Sequence, residues 1–325
     1  MENMTATRFF NEVLSRREEK GVEEAYLFVR EHGDCSDARQ MNMRYALAAA
    51  SGRTDEAFDL LNEAVVECGF WYPAEYLLED EDLETLRERE GFAELADLCA
   101  RREEAAYANA APGLTVLQPE ISMAQSGTGA ESAVRPLLLV LHGDQESQRD
   151  AEPFWKPALQ YGWTVGLIRS SQIRFANAYG WDDIDLGAAE LREHLESLTA
   201  AEDGTLYGPI VLGAFSAGAE VALNALLHDE FPADGLILTA PWLAEPEEWT
   251  EALERLEERT PRVVVLVGEE DHESSDSSEQ LTRSMQLAGL ECRLSIIPGV
   301  GHDYPEDFAS RLIESLAWFA EDGRV

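Results

Sequence analysis

One ten-residue run constrains this chain more than any other: Pro209-Ile210-Val211-Leu212-Gly213-Ala214-Phe215-Ser216-Ala217-Gly218. Its pattern is an apolar strand, a sharp turn carrying one serine, and a helix that begins at Ala219. Small residues are needed on both sides of the serine, because such a turn brings strand and helix close together. That is the layout of a nucleophile elbow, which lifts a serine hydroxyl clear of the backbone. Ala214 stands where the first glycine of an elbow usually falls, so the core is Ala-x-Ser-x-Gly. Taken alone, Ser216 is equally well an ordinary small turn residue. Its potential partners further along the chain decide between the two readings.

Two β-branched runs come after it. Residues 261–267 lead into Gly268-Glu269-Glu270-Asp271, and residues 292–297 lead into Pro298-Gly299-Val300-Gly301-His302. Serine, acid and histidine therefore come in that order, each just past the carboxyl end of a predicted strand. Open α/β sheets place their ligands in that position. A serine hydroxyl is a poor nucleophile until an imidazole can take its proton. A carboxylate behind the imidazole fixes its tautomer and stabilises the imidazolium. Asp271 is the first choice for that carboxylate, with Glu270 of the same acidic run in reserve. The other five of the six histidines are less suited. His32 and His194 lie in helical patterns and His228 near a helix end, while His272 adjoins Asp271. His142 precedes the serine, in a loop with a separate role.

Leu138-Leu139-Val140-Leu141-His142-Gly143, the Ser216 elbow, Gly268-x-x-Asp271 and Gly301-His302-Asp303-x-Pro305 together carry a resemblance. Residues 136–325 resemble a compact α/β-hydrolase of the esterase type, similar to dienelactone hydrolases and carboxylesterase/phospholipase relatives. Ala214 departs from that pattern, as does Asp144-Gln145, where many lipases carry further glycines. The resemblance implies ester or thioester hydrolysis through an acyl-enzyme, with Ser216 as nucleophile, His302 as general acid and base, and Asp271 as the orienting acid. It also implies an oxyanion hole built from the amide of Ala217 and an amide of the His142-Gly143 loop, that of Asp144 or alternatively Gln145. Phe215, Trp242 and Trp181 are the aromatic candidates for the acyl or alcohol pocket. The expected substrate is a small or medium carboxylic ester. A thioesterase or peptidase would use the same triad, and a catalytically silent repeat-type interaction protein is the alternative from another class.

Strand patterns at 137–141, 164–168, 210–212, 235–239, 263–267 and 294–297 alternate with helical ones. This alternation predicts an α/β fold, a mainly parallel sheet flanked by helices. Leu191, Leu195 and Leu198 form one apolar helical stripe, and Phe308, Leu312, Ile313, Leu316 and Phe319 another. Residues 1–108 differ, being helical throughout. Glu24-Ala25-Tyr26 recurs as Glu56-Ala57-Phe58, 32 residues later (56 − 24), near the ~34-residue tetratricopeptide period. The segment therefore resembles a short tetratricopeptide-like (TPR-like) array, expected to serve in packing, self-association, access control or binding of a protein partner. Residues 109–135 form the join, with a short leading strand at 115–118 and the Ser126-Gly127-Thr128-Gly129 stretch, and residues 136–325 the catalytic domain.

The formal net charge is −39, and Lys20 and Lys156 are the only lysines. Such a surface repels nucleic acid and anionic membranes, which excludes both as main partners. Cys35, Cys68, Cys99 and Cys292 show no Cys-x-x-Cys spacing and suit a reducing compartment. With no apolar signal core and no run of bilayer length, the expected location is the cytoplasm. Neither metal-ligand clusters nor a cofactor signature is present, and the triad requires none.

Overall fold

The computed structural model describes residues 5–119, 134–200, 205–228, 231–243, 249, 252–253 and 260–320. The stretch 126–129 of the predicted join lies outside these. The chain forms two compact units. One comprises Met1–Ala111 and Ser171–Tyr179, the other Pro112–Ser170 and Gly180–Val325.

Among the described elements seven helices come first: α1 (Ala6–Lys20), α2 (Val22–His32), α3 (Ala38–Ala50), α4 (Thr54–Asn62), α5 (Ala74–Glu79), α6 (Glu84–Arg87) and α7 (Phe92–Ala108). Then come β1 (Gly113–Leu117), β2 (Arg135–Leu141), α8 (Gln148–Trp155) and β3 (Thr164–Arg169). A short hairpin, β4 (Ile173–Phe175) and β5 (Ala178–Tyr179), precedes α9 (Ile184–Thr199). The elbow elements are β6 (Tyr207–Phe215) and α10 (Gly218–Leu227), followed by β7 (Gly235–Thr239) and β8 (Arg262–Gly268). Last come α11 (His272–Leu287), β9 (Cys292–Ile297) and α12 (Phe308–Ala320).

In the helical unit, side-chain caps start α1 and α3. Thr5 accepts the Arg8 N–H, and Asp37 accepts the Gln40 N–H, each satisfying one orphan donor of a first turn. Tyr26, Val29, Met41, Tyr45, Leu61, Tyr72, Leu77 and Leu83 fill its core. The hairpin was not foreseen from sequence, and its Ile173, Phe175 and Ala176 belong to this same core.

In the other unit the described strands form one sheet in the order β1-β3-β2-β6-β7-β8-β9. All neighbours pair in parallel except β1, which runs antiparallel to β3. Both faces are covered, so the central strands are apolar along their length. Their side chains alternate between two cores. Leu137, Leu139, Leu141, Leu212, Leu236 and Val263 face one side, with Leu191 of α9 and Leu281 of α11. Leu138, Val140, Val165, Val211, Ile237 and Val264 face the other, with Trp155 of α8 and Leu312 of α12. The fold is the α/β architecture expected from the strand and helix patterns.

Candidate active site

Strand β6 ends at Phe215, and Ser216 follows with φ 51°. A non-glycine residue in the left-handed region is strained and persists only where its surroundings hold it. Here the Ser216 N–H donates to the Thr239 carbonyl at 3.1 Å, and its own carbonyl accepts the Trp242 N–H at 3.1 Å. Helix α10 starts two residues later against the end of β2. A Cβ on Gly218 would lie 2.5 Å from the His142 carbonyl oxygen and 2.9 Å from Leu141 Cβ. Only glycine fits there, which is the physical content of the last position of the elbow.

Asp271 is the N-cap of α11, its side chain accepting the Ser274 N–H. It is buried, while Glu270 is exposed. The loop after β9 crosses the end of β8, where a Cβ on Gly268 would meet the Val300 carbonyl oxygen at 2.0 Å. The Glu270 N–H donates to that same carbonyl at 2.9 Å. This close crossing brings His302 over Asp271. His302 Nδ1 lies 2.7 Å from Asp271 Oδ2, and Nε2 lies 2.8 Å from Ser216 Oγ. The three residues picked out by chain order thus form one continuous hydrogen-bonded line. Burial pushes the Asp271 carboxyl upward, but hydrogen bonds from His302 and Ser274 outweigh it and hold the group below its ordinary range. At neutral pH it is a carboxylate, able to accept the Nδ1–H.

The loop after β2 is organised around His142. Its Nδ1 lies 2.7 Å from the Gly143 carbonyl oxygen, so Nδ1 carries the proton and Nε2 accepts the Ser170 N–H at 3.3 Å. The Gly143 N–H donates to the buried Glu146 carboxylate at 3.0 Å. Gln145 takes φ 57°. Among the described residues, neither the Gln145 nor the Ala217 N–H has an acceptor. Asp144 and Gln145 are both half-buried.

Burial pushes the His142 imidazole down to about 4 from 6.5. Between those values the unfolded chain binds the proton and the folded protein does not, so stability falls as pH drops from about 6.5 to about 4. The full difference corresponds to about 3 kcal/mol. Urea unfolding of wild type and His142→Gln at pH 7 and pH 4.5 checks this. The stability advantage of wild type is expected to shrink at the lower pH, and an advantage independent of pH contradicts it.

The three aromatic candidates part company. Phe215 is 1% exposed, its ring stacked on Tyr304 at 4.4 Å between centroids. Trp181 is 5% exposed and donates Nε1–H to the His142 carbonyl at 2.8 Å. Neither presents surface to a substrate; they support the site from beneath, which corrects the sequence expectation for both. Trp242 is 49% exposed. It lines a cavity of ≈ 240 Å³ together with Pro241, Leu243, Glu273, Ser274 and Ser277. Sequence reasoning missed Ser274, whose Oγ lies 3.4 Å from His302 Nδ1. Its signal was its place three residues after Asp271, where a helix N-cap finds its partner.

This sheet order, elbow and hydrogen-bonded line define an α/β-hydrolase. Residues 189–319 match the phospholipase/carboxylesterase family, and residues 5–107 match the A/B hydrolase-like N-terminal domain. The chain is 35% identical to an uncharacterized protein from Bacillus cereus ATCC 10987, over 98% of this chain and 99% of that one, with a TM-score of 0.57. It shares its fold with esterase PE8 at 21% identity, over 64% of this chain and 99% of that one, with a TM-score of 0.51. None of the curated protein sequences matches it. Residues 189–319 thus carry a phospholipase/carboxylesterase domain on an α/β-hydrolase fold, and this match supports carboxylic ester hydrolysis.

Proposed function

We propose that Ser216, His302 and Asp271 are the catalytic triad of this hydrolase, acting on small to medium carboxylic esters through an acyl-enzyme. The observation that carries the proposal is the line Ser216 Oγ–His302–Asp271, with separations of 2.8 and 2.7 Å. Ser216 Oγ attacks the ester carbonyl carbon while its proton passes to His302 Nε2. The C–O bond to the alcohol breaks, and the alcohol leaves with that proton. Water then attacks the acyl carbon, giving its proton to Nε2. Collapse releases the acid, and the proton returns to Ser216. Asp271 keeps Nδ1 protonated throughout and faces the imidazolium when it forms.

The oxyanion of each tetrahedral intermediate is assigned to the Ala217 amide and an amide of the Asp144-Gln145 turn. The free N–H groups of Ala217 and Gln145 support this. Such a donor contributes about 3–4 kcal/mol to lowering the barrier. Trp242 is assigned a substrate contact, and its exposed ring beside a ≈ 240 Å³ cavity supports a short acyl or alcohol group there. The helical unit is assigned a TPR-like role. In support, the repeated Glu-Ala-aromatic steps fall on α2 and α4, and the Tyr26 hydroxyl meets Glu56 across them. Four free cysteines support a reducing, cytoplasmic setting, and among the described residues no helix is long and apolar enough to cross a membrane.

A p-nitrophenyl ester series from acetate to palmitate tests the substrate assignment. kcat/KM is expected to peak at the short acyl chains and fall by at least about tenfold at palmitate, one missing pocket's worth of discrimination. Preference for palmitate, or turnover of thioesters alone, contradicts it.

A further inference from the structure

Residues Gly143 to Glu146 form a single turn, closed where the Glu146 N–H donates to the Gly143 carbonyl at 3.3 Å. Of its two central residues, Asp144 and Gln145, only the second takes positive φ, 57°. That is the pattern of a type II turn, whose third position suits glycine or asparagine. A glutamine there is strained and stays only where its surroundings hold it. Rotating the central peptide would relieve the strain by converting the turn to type I. It would also reverse the direction of the Gln145 N–H.

The side chain of Glu146 folds back beneath its own turn. Its Oε2 accepts the Gly143 N–H at 3.0 Å. Both main-chain groups of Gly143 are thereby held, since its carbonyl takes the Glu146 N–H and the His142 Nδ1–H. The Glu146 side chain is buried. A Cβ on Gly143 would lie 2.9 Å from Phe215 Cδ1 and 3.0 Å from Glu146 Oε2. The carboxylate therefore sits beside the ring that immediately precedes Ser216. Tyr304 stacks on that same ring, and its phenol is raised by burial first and by the charge of Glu146 next. A buried carboxylate is costly unless it is well hydrogen-bonded. In return it holds a backbone N–H more strongly than a neutral acceptor does.

We infer that Glu146 is a positioning residue of the active site, its carboxylate seating Gly143 and the oxyanion turn against Phe215 and the elbow. The inference rests on the oxyanion role proposed above. Glu146 acts through the main chain and needs no contact with substrate. An oxyanion amide acts on the transition state rather than on bound substrate, so loosening the turn lowers kcat and leaves KM nearly unchanged.

The test uses full-length protein, p-nitrophenyl butyrate, and a trifluoromethyl ketone that adds to Ser216 as a tetrahedral analogue of the transition state. Glu146→Ala is expected to lower kcat by about 10–100-fold through misplacement of the turn by about an ångström, with KM within about twofold. Affinity for the trifluoromethyl ketone should fall by the same factor as kcat/KM. Glu146→Gln keeps a neutral acceptor for the Gly143 N–H and is expected to restore kcat to within about fivefold of wild type. Should Glu146→Ala fail to fold by circular dichroism, Glu146→Leu, which fills the space without accepting a hydrogen bond, carries the same comparison.

Unchanged kcat in the folded alanine or leucine variant overturns the inference. So does a loss carried by KM, or a glutamine variant as damaged as the alanine one. Failure of the underlying site is seen separately, on wild type. A wild type that binds the trifluoromethyl ketone no better than the matching methyl ketone lacks the proposed nucleophile and oxyanion hole, whatever Glu146 does.

Discussion

Ser216→Ala is expected to lower kcat toward carboxylic esters by about 10⁵–10⁶-fold, with KM within a few-fold of wild type. The hydroxyl sits 2.8 Å from His302 Nε2, and alanine leaves the imidazole no nucleophile to activate. The residual rate then reflects the oxyanion amides and substrate binding alone. Stability should barely change. The backbone bonds that hold the turn, to the Thr239 carbonyl and from the Trp242 N–H, do not involve the side chain, and alanine bears the same left-handed strain as serine. Steady-state kinetics and a thermal melt on the same preparation check both halves. A folded Ser216→Ala protein that still turns over esters contradicts the assignment.

Asp271→Asn is expected to cost about 10⁴ in kcat. The structure gives the reason in terms of tautomers. The Ser274 N–H points at Asp271 Oδ1, so the asparagine amide will set its oxygen there and turn its NH₂ toward His302. Nδ1 must then accept rather than donate, which moves the ring proton to Nε2, opposite Ser216 Oγ. A base that already carries its proton cannot take another. Asparagine caps helices as well as aspartate does, so α11 should survive and the loss should be one of rate rather than fold. Glu270→Gln is the companion measurement. Glu270 is exposed, and its replacement should leave kcat within about twofold, as for other surface changes away from special features. A damaging Glu270→Gln beside a mild Asp271→Asn would falsify the choice of acid.

The sheet was legible because its strands are covered on both faces. Runs such as 137–141 and 263–267 are apolar throughout, and that composition over so short a length suits a buried strand better than a helix. The triad candidates were legible for a related reason. Each is tied to the end of a strand, and parallel neighbours bring successive strand ends to one edge, so chain order translates directly into proximity. Glycines marked the two close crossings, at Gly218 and Gly268.

Phe215 and Trp181 were misjudged because an aromatic beside a reactive residue has the same local pattern whether it faces a pocket or a core. Strand parity held the answer for Phe215, which continues the face of Val211 toward the Trp155 side. The β4–β5 hairpin left almost no trace. Its strands are too short to show a period, and its packing partners, Trp71 and Tyr72, lie about a hundred residues earlier in the chain. Asn177 was the one local turn signal. The role of His142 was hidden likewise, since its partners Ser170 and Trp181 converge only through the folded β3–α9 connection.

The most direct test of the central claim is the intact mass of wild type and Ser216→Ala after exposure to a fluorophosphonate probe. A single adduct on wild type, absent from the folded variant, is the expected result and identifies Ser216 as a serine activated by His302. No adduct on folded wild type, or an equal adduct on both proteins, would contradict the account.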